Sequence, residues 1–194
     1  MSDRLQFRNR SGEPAMPFDL RPLASLGILA SGLAISTAAN AALVTKYSYA
    51  SPTGTCQPSI PTTDTQVRPK ATGFRNESST NAAFVICGYG KPSTDGGAGN
   101  LKSIEIGVAS LDGVSRVVKC TAVVGRYGSS ALVYSTKSLG TNIYNTAYIE
   151  SWTPADFGGG TYITGSYEPS VTCTLPPQTT IVHTGVSYDI DIGN

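Results

Sequence analysis

All four cysteines of the chain follow an apolar N-terminal segment, and this order constrains the fold more than any other feature of the sequence. The apolar run from Leu23 to Ala34 is followed by Ala39-Asn40-Ala41, which has the A-x-A pattern of a signal-peptide cleavage site. The run is too short, and too rich in Gly, Ser and Ala, for a membrane-spanning helix, which needs about 20 apolar residues. We therefore expect residues 1–41 to comprise an N-terminal extension with a cleavable signal peptide, and residues 42–194 to form a single exported domain.

The start and the destination of the exported chain stay open at this level. The basic residues ahead of the apolar run form an unusually long n-region, whereas a start at Met16 leaves a compact one with Arg21 alone. Both Met1 and Met16 are therefore candidate starts. The residue after the predicted cleavage site is Ala42 rather than the cysteine of a lipoprotein. We expect a secreted, disulfide-bonded protein without membrane attachment after cleavage, in either the periplasm or the extracellular space.

Charge and composition from Ala42 onward exclude two classes of partner and favour one fold class. Four of the 14 basic residues and three of the 13 acidic residues precede Ala42, which leaves ten of each and a net charge of zero. A balanced surface lacks the basic excess that binds nucleic acid or anionic lipid. The same region is rich in Thr, Tyr and Val, which favour strands, and poor in Leu, Glu and Lys, which favour helices. We therefore expect an all-β domain that binds neither nucleic acid nor membrane.

The cysteines predict two structural disulfides. Their number is even, and none has the C-x-x-C spacing of zinc or thioredoxin-like sites. Four cysteines permit three pairings, and the sequence alone does not select among them. We favour Cys56 with Cys87, a bridge that attaches the Pro-rich segment Ser51 to Pro69, itself predicted as an extended loop or sheet edge. The second bridge is then Cys120 with Cys173, and we expect it to join two long apolar strands across two sheets.

Short runs of alternating polarity predict eight or nine strands. Leu43 to Tyr49 has the period of two that is typical of a half-buried first strand. Asp112-Gly113 lies between two apolar runs and predicts a hairpin, and the polar residues 77–81 predict a second one with Cys87 on its second strand. Pro154 to Phe157 predicts one helical turn. Strands at intervals of about ten residues, without helical periodicity, indicate an antiparallel β-sandwich of the Greek-key or jelly-roll type.

The cysteines and their neighbours also carry a resemblance to known proteins. The motifs are Cys56-Gln57-Pro58, Phe74-Arg75-Asn76-Glu77-Ser78-Ser79 ahead of Cys87, Cys120, and Cys173-Thr174-Leu175-Pro176. In this arrangement the exported part of the chain resembles, over its whole length, small exported disulfide-bonded β-proteins of Gram-negative bacteria. That group has no established activity. The resemblance therefore implies export and disulfide bonds, and it assigns no site residue.

The region around Trp152, the only tryptophan, holds the candidate binding residues. Tyr148 and Tyr162 flank it, and Glu150 and Asp156 supply carboxylates. Aromatic rings beside carboxylates could form a platform that stacks on a sugar or contacts a protein. The interpretation that we favour for Trp152 itself is that it packs in the core, because a tryptophan in a sandwich is usually well buried.

No catalytic, metal-binding or cofactor-binding motif stands out. His183 is the only histidine, so a Ser-His-Asp site would depend on it, and no G-x-S-x-G pattern occurs. Asp189 and Asp191 share one face of a strand, but a calcium site needs about six oxygen ligands and the remaining ones cannot be named. We therefore predict no catalytic residue, no metal ligand and no cofactor.

Two functional hypotheses follow from the sequence. The first, which we favour, is a secreted, non-enzymatic β-sandwich that binds an unidentified protein or polysaccharide. The second is a small secreted carbohydrate-active hydrolase or a lectin that uses the Trp152 region. Exposure of Trp152 in a groove would support the second hypothesis, and its burial would support the first.

Overall fold

A computed structural model describes residues 42–90, 100–125, 128, 132–141, 146–163 and 169–192. The predicted leader, residues 1–41, lies outside the described residues. Most of the described residues are in strands, and the strands form two antiparallel sheets. The prediction of an all-β, sandwich-like fold is therefore confirmed. Within the described ranges, no helix is both long enough and apolar enough to cross a membrane.

Across the described residues, eleven strands and two helices of one turn each make up these sheets and their connections. The six-stranded sheet contains β1 (Leu43–Ala50), β3 (Val67–Lys70), β4 (Gly73–Asn76), β6 (Asn100–Ser110), β9 (Tyr148–Trp152) and β11 (Thr179–Asp191). The five-stranded sheet contains β2 (Cys56–Pro58), β5 (Ala83–Gly88), β7 (Val117–Val124), β8 (Val133–Gly140) and β10 (Ser170–Leu175). The helices are α1 (Pro52–Thr55) and a 3₁₀ helix (Pro154–Phe157), which confirms the predicted helical turn.

The last strand, β11, organises the six-stranded sheet. β6 pairs along one side of it, while β4 and β1 pair in succession along the other side. β3 extends the sheet beyond β4, and β9 extends it beyond β6. The five-stranded sheet has the order β2-β5-β10-β7-β8. Strands that follow one another in the chain therefore often lie in different sheets.

The strand count exceeds the predicted eight or nine because the Pro-rich segment Ser51 to Pro69 contains regular structure. Ser51 caps α1 through its side chain, and Pro52 occupies the first turn, where a missing N–H costs nothing. β2 and β3 follow, each at the edge of its sheet. Proline is tolerated at sheet edges because no neighbouring strand needs its N–H.

Both predicted disulfides are present, and both lie in the five-stranded sheet. Cys56 bonds to Cys87 between β2 and β5, and Cys120 bonds to Cys173 between β7 and β10. In each pair the two residues are directly opposite in the strand register. The expectation that the second bridge joins the two sheets was wrong, because β7 and β10 are neighbours in one sheet. Buried cysteines thus cross-link this sheet twice on its core face.

The predicted hairpin at Asp112-Gly113 is wrong. This turn joins β6 of the six-stranded sheet to β7 of the five-stranded sheet, so the two strands do not pair. The Asp112 carboxylate accepts from the backbone N–H of Val114 at 3.0 Å and from both terminal nitrogens of Arg116 at 2.6 Å. These bonds build a connection of six residues instead of a two-residue hairpin loop.

The second predicted hairpin, around residues 77–81, is wrong for a similar reason. β4 and β5 belong to different sheets, and the buried Asn76 stands where the chain leaves β4. Its side-chain nitrogen donates to the carbonyl of Leu175 in the opposite sheet at 2.9 Å, and its oxygen accepts from the backbone N–H of Ser78 at 3.1 Å. These bonds satisfy a buried polar group and direct the chain across the sandwich.

The core lies between the two sheets. Its largest fully buried side chains include Trp152, Phe74, Leu101, Ile104, Ile106, Leu139, Leu175 and Ile181. Because side chains alternate along a strand, the residues between these positions point to the outer faces of the sandwich. The outer faces are thus where accessible functional groups are to be sought.

Candidate functional site

Trp152 belongs to the core. Its side chain is fully buried at the end of β9, and its indole Nε1 donates to the carbonyl oxygen of Ser135 in β8 at 3.1 Å. β9 and β8 are edge strands of different sheets, so this hydrogen bond connects the sheets along one side of the sandwich. The ring has no face open to a sugar, as the core interpretation predicts.

Lys137 of β8 forms ion pairs with both carboxylates of the predicted site. Its Nζ lies 3.2 Å from Glu150 Oε1 and 3.2 Å from Asp156 Oδ1, and it donates to the carbonyl of Ser151 at 2.7 Å. Burial lowers the pKa of Lys137, but the hydrogen bonds and charges of the two carboxylates outweigh burial, and the pKa stays above its ordinary value. We call Lys137, Glu150 and Asp156 the lysine cluster.

Two further hydrogen bonds complete the lysine cluster. Asp156 Oδ2 accepts from the backbone N–H of Thr153 at 2.7 Å, next to the start of the 3₁₀ helix. Burial opposes ionisation of Asp156, but the bonds from Thr153 and Lys137 outweigh it and lower its pKa. The Tyr148 hydroxyl donates to Glu150 Oε2 at 3.0 Å, and this bond raises the pKa of Tyr148. Of the side chains predicted as a binding platform, Tyr148 thus binds Glu150, and both Glu150 and Asp156 bind Lys137.

Tyr162 contacts a different part of the sheet. Its hydroxyl donates to Asp189 Oδ2 at 3.2 Å, and Asp189 Oδ1 accepts from Thr45 Oγ1 at 2.6 Å and lies 3.6 Å from Lys102 Nζ. The hydrogen bond from Thr45, with those from Tyr162 and Lys102, lowers the pKa of Asp189. Burial acts in the opposite direction, but these bonds outweigh it. The structure therefore places Tyr162 with Asp189 on the outer face of the six-stranded sheet, whereas Trp152 faces the core.

A cluster that the sequence did not predict lies on this outer face, where β1, β11 and β6 run side by side. Tyr47 and Tyr49 lie two residues apart on β1 and therefore point to the same side. Their ring centroids are 6.0 Å apart with an interplanar angle of 17°, and their side chains are 60% and 61% exposed. The Tyr49 ring also packs beside His183, with ring centroids 5.2 Å apart.

Two glycines allow these rings to lie close to the sheet. Gly185 is directly opposite Tyr49, and a Cβ at Gly185 would lie 2.7 Å from Cδ1 of that ring. Gly107 is opposite His183, and a Cβ there would lie 2.7 Å from the His183 Cβ. Both distances are well inside van der Waals contact. Without a Cβ at these two glycines, the aromatic side chains can pack directly against the backbone of the sheet.

Polar side chains continue the cluster across β6 and β11. Ser103 Oγ lies 2.6 Å from Ser187 Oγ and donates to Glu105 Oε1 at 3.3 Å. Glu105 Oε2 lies 3.4 Å from His183 Nε2, and these two side chains are about one fifth to one quarter exposed. The resulting surface, which we call the tyrosine face, consists of Tyr47, Tyr49, Ser103, Glu105, His183 and Ser187.

One signal for the tyrosine face was present in the sequence. The period of two in β1 places Tyr47 and Tyr49 on one side of a strand. The neighbours of β1 in the sheet could not be read from that period, because β1 pairs with residues 184–191 near the other end of the chain. His183, the only histidine of the sequence, lies half-buried on the outer face.

No protein-family model matches the chain, and no curated protein sequence matches it. The interpretation of function therefore depends on the chemistry of its own side chains. Among the described residues, the tyrosine face combines accessible aromatic rings with hydroxyl, carboxylate and imidazole groups.

Proposed function

We propose that the protein is an exported, non-enzymatic binding protein and that its tyrosine face binds a polysaccharide. The stacked, largely exposed rings of Tyr47 and Tyr49 carry this proposal. Two buried disulfides support export, because such bonds persist in oxidising compartments. The apolar segment and A-x-A site predicted in residues 1–41 support it from the sequence side.

The two exposed tyrosine rings suit the shape and chemistry of sugars. A pyranose ring has a face of C–H groups, and this face stacks on an aromatic ring while the hydroxyls point sideways. Tyrosine offers a large, rigid area with a polar end at low entropic cost. Two such rings in succession along β1 suit consecutive units of a polymer.

Polar side chains that can bind sugar hydroxyls lie beside the two tyrosine rings. Ser103, Ser187, Glu105 and His183 provide both donors and acceptors within the same face. Sugar hydroxyls both donate and accept, so they match a mixed set better than a set of one kind. Binding sites commonly combine apolar contact area with a few placed polar groups, and the tyrosine face has this composition.

The hydrolase hypothesis at Trp152 lacks comparable support. The indole is buried, and both Glu150 and Asp156 are ion-paired with Lys137. The lowered pKa of Asp156 keeps it ionised, so it does not fit the role of the general acid in glycoside hydrolysis, which must carry a proton. The non-enzymatic hypothesis is therefore the one that we propose.

The test is affinity electrophoresis of the purified protein in gels that contain neutral or acidic polysaccharides. We expect retardation by at least one polymer, and a loss of affinity of about tenfold or more in the double variant Tyr47→Ala/Tyr49→Ala, at about 0.5–1.5 kcal/mol for each ring contact. Tyr134→Ala is the matched control, because Tyr134 is 60% exposed on the five-stranded sheet. Equal affinity in the double variant, or no retardation across the panel, would refute the proposal.

A further inference from the structure

A cleft opens on the outer face of the six-stranded sheet, at the end where β4 pairs with β11. Its volume is about 360 Å³, within the range of sites that hold a small ligand or one sugar unit. The lining residues are Thr72, Arg75, Ala109, Ser110, Leu111, Ala147, Thr180 and Val182. Arg75, Thr180 and Ala109 are aligned across three neighbouring strands, which makes them the floor of the cleft.

Arg75 is the charged residue among the described residues that line this cleft, and it differs from Arg68 and Arg116, the other two arginines of the described ranges. Arg68 binds Glu77 through Nε and Nη2, and Arg116 binds Asp112 through both terminal nitrogens. Arg75 has no carboxylate within ion-pair distance in the part of the chain that the structure describes.

The hydrogen bonds of Arg75 are also incomplete. Its Nη2 donates to Thr72 Oγ1, whereas its Nε is buried and lacks a hydrogen-bond partner among the described residues. The side chain as a whole is half-buried. A guanidinium removed from water without a compensating anion is costly, so buried arginines are usually paired.

The surroundings of Arg75 favour an anion. None of the described residues that line the cleft carries a carboxylate. Arg68 stands directly opposite Arg75 on β3, and its charge is balanced by Glu77, so Arg68 gives Arg75 no negative partner. The nearest acid along the chain from the lining residues is Asp112; the hydrogen bonds from Arg116 hold its pKa well below the ordinary value, and that carboxylate is already engaged.

We propose that this cleft binds an acidic group, a carboxylate or a sulfate ester, carried by a polysaccharide, and that the Arg75 guanidinium is its main partner. A planar guanidinium forms paired hydrogen bonds to such oxyanions. Val182 lines the cleft and the next residue, His183, belongs to the tyrosine face, so one polymer chain can contact both. The identity of the polymer as acidic rests on the proposed function, whereas the anion site itself does not.

Isothermal titration with an oligogalacturonate, its methyl-esterified neutral form and a sulfated oligosaccharide tests the inference. We expect Arg75→Gln to weaken binding of an acidic ligand by about tenfold or more and to leave the neutral form within about twofold. Binding of the acidic ligand to the wild type should weaken with added salt, and this dependence should flatten in the variant. The two acidic ligands show whether carboxylate or sulfate is preferred.

Two comparisons separate the possible failures. Lys119→Gln removes an exposed positive charge from the five-stranded sheet, and we expect it to bind the acidic ligand as tightly as the wild type does. A general effect of protein charge would instead lower the affinity of Lys119→Gln and Arg75→Gln equally. Arg75→Lys keeps the charge but loses the planar fork, and we expect an intermediate loss. Unchanged acidic affinity in Arg75→Gln refutes the anion site even if Tyr47→Ala/Tyr49→Ala abolishes binding. The reverse pattern refutes the tyrosine face and leaves the anion site in place.

Discussion

The lysine cluster and the tyrosine face contain similar residue types but use them in opposite ways. The lysine cluster with its neighbours Tyr148 and Trp152, and the tyrosine face, each combine aromatic rings with carboxylate and basic groups. In the lysine cluster, Lys137 binds Glu150, Asp156 and a main-chain carbonyl, and it stands 5.9 Å from the centre of the buried Trp152 ring. In the tyrosine face the rings stay exposed. Orientation relative to the two sheets, rather than residue composition, therefore decides which cluster stabilises the fold and which one is available to a ligand.

The side of the strand on which each set of side chains lies explains the difference. β8 and β9 are edge strands of different sheets, and the inward side chains of one meet those of the other where the sandwich would otherwise be open. Polar groups at such a place are partly removed from water and must satisfy each other. β1 also lies at an edge, but Tyr47 and Tyr49 point away from the opposite sheet. Those side chains have solvent, not another strand, as their neighbour.

Among the substitutions that test this comparison, removal of the Trp152 side chain should lower the free energy of unfolding most. We expect Trp152→Ala to lower the free energy of unfolding by about 3–5 kcal/mol, because it empties a fully buried site and removes the hydrogen bond to Ser135. Tyr49→Ala should change it by only about 0.5 kcal/mol, since 61% of that side chain is exposed. Urea unfolding followed by circular dichroism measures both values.

A second substitution separates packing from hydrogen bonding at Trp152. Trp152→Phe retains most of the apolar volume but lacks the donor, and we expect a cost of about 1–2 kcal/mol. If Trp152→Ala were no more destabilising than Tyr49→Ala, the assignment of the lysine cluster and Trp152 to fold stability would fail.

An intermediate effect concerns Asp156 and pH. At neutral pH we expect Asp156→Asn to cost about 1–2 kcal/mol, because it weakens both the bond from Thr153 and the ion pair with Lys137. The folded-state pKa of Asp156 lies below its ordinary value of 3.8. Its contribution is thus present above that pH and is lost as the pH falls through the folded-state pKa.

The measurement is the unfolding free energy of wild type and Asp156→Asn from pH 7 down to pH 2. The difference between them should shrink below about pH 4. Asp64→Asn is the control, because Asp64 belongs to neither cluster and its side chain has no ion pair within the described ranges. A gap that stays constant down to pH 2 would show that the charge of Asp156 does not contribute.

The sequence predicted local features of this fold better than strand partners. The alternation in β1, the turn at Pro154 to Phe157 and both cysteine pairs were right, because each depends on neighbouring residues or on a small number of pairings. The two hairpins were wrong, because Asp112 and Asn76 form side-chain hydrogen bonds that carry the chain into the other sheet. A turn motif shows that the chain reverses, but it does not identify the sheet that receives the next strand.

The sequence also does not show which strands pair, and this explains why the tyrosine face was missed although Glu150 and Asp156 were grouped correctly. Trp152, Glu150 and Asp156 are close in sequence and were considered together, and they are close in the structure as well. The tyrosine face, in contrast, joins strands separated by more than a hundred residues, such as β1 and β11. Such a surface cannot be recognised before the sheet order is known.

A small change in stability together with a large effect on binding is expected from a substitution at Gly185. Its added methyl group in Gly185→Ala would lie 2.7 Å from the Tyr49 ring and 3.3 Å from His183 Nε2. The exposed ring can swing into solvent, so the unfolding free energy should change by less than about 1 kcal/mol. The swing would break the contacts with Tyr47 and His183, and polysaccharide affinity should fall about as far as in Tyr49→Ala.

Gly88→Ala provides the matched control for this last substitution. Gly88 ends β5 in the five-stranded sheet, and a Cβ there meets no atom of the described residues within 4 Å. Both variants lower backbone entropy in the unfolded chain to a similar extent, so any difference between them reports on the Tyr49 contact. If Gly185→Ala and Gly88→Ala bound a polysaccharide equally well, the position of Tyr49 would be irrelevant to binding, and the contrast between an internal cluster and an accessible one would lose its functional meaning.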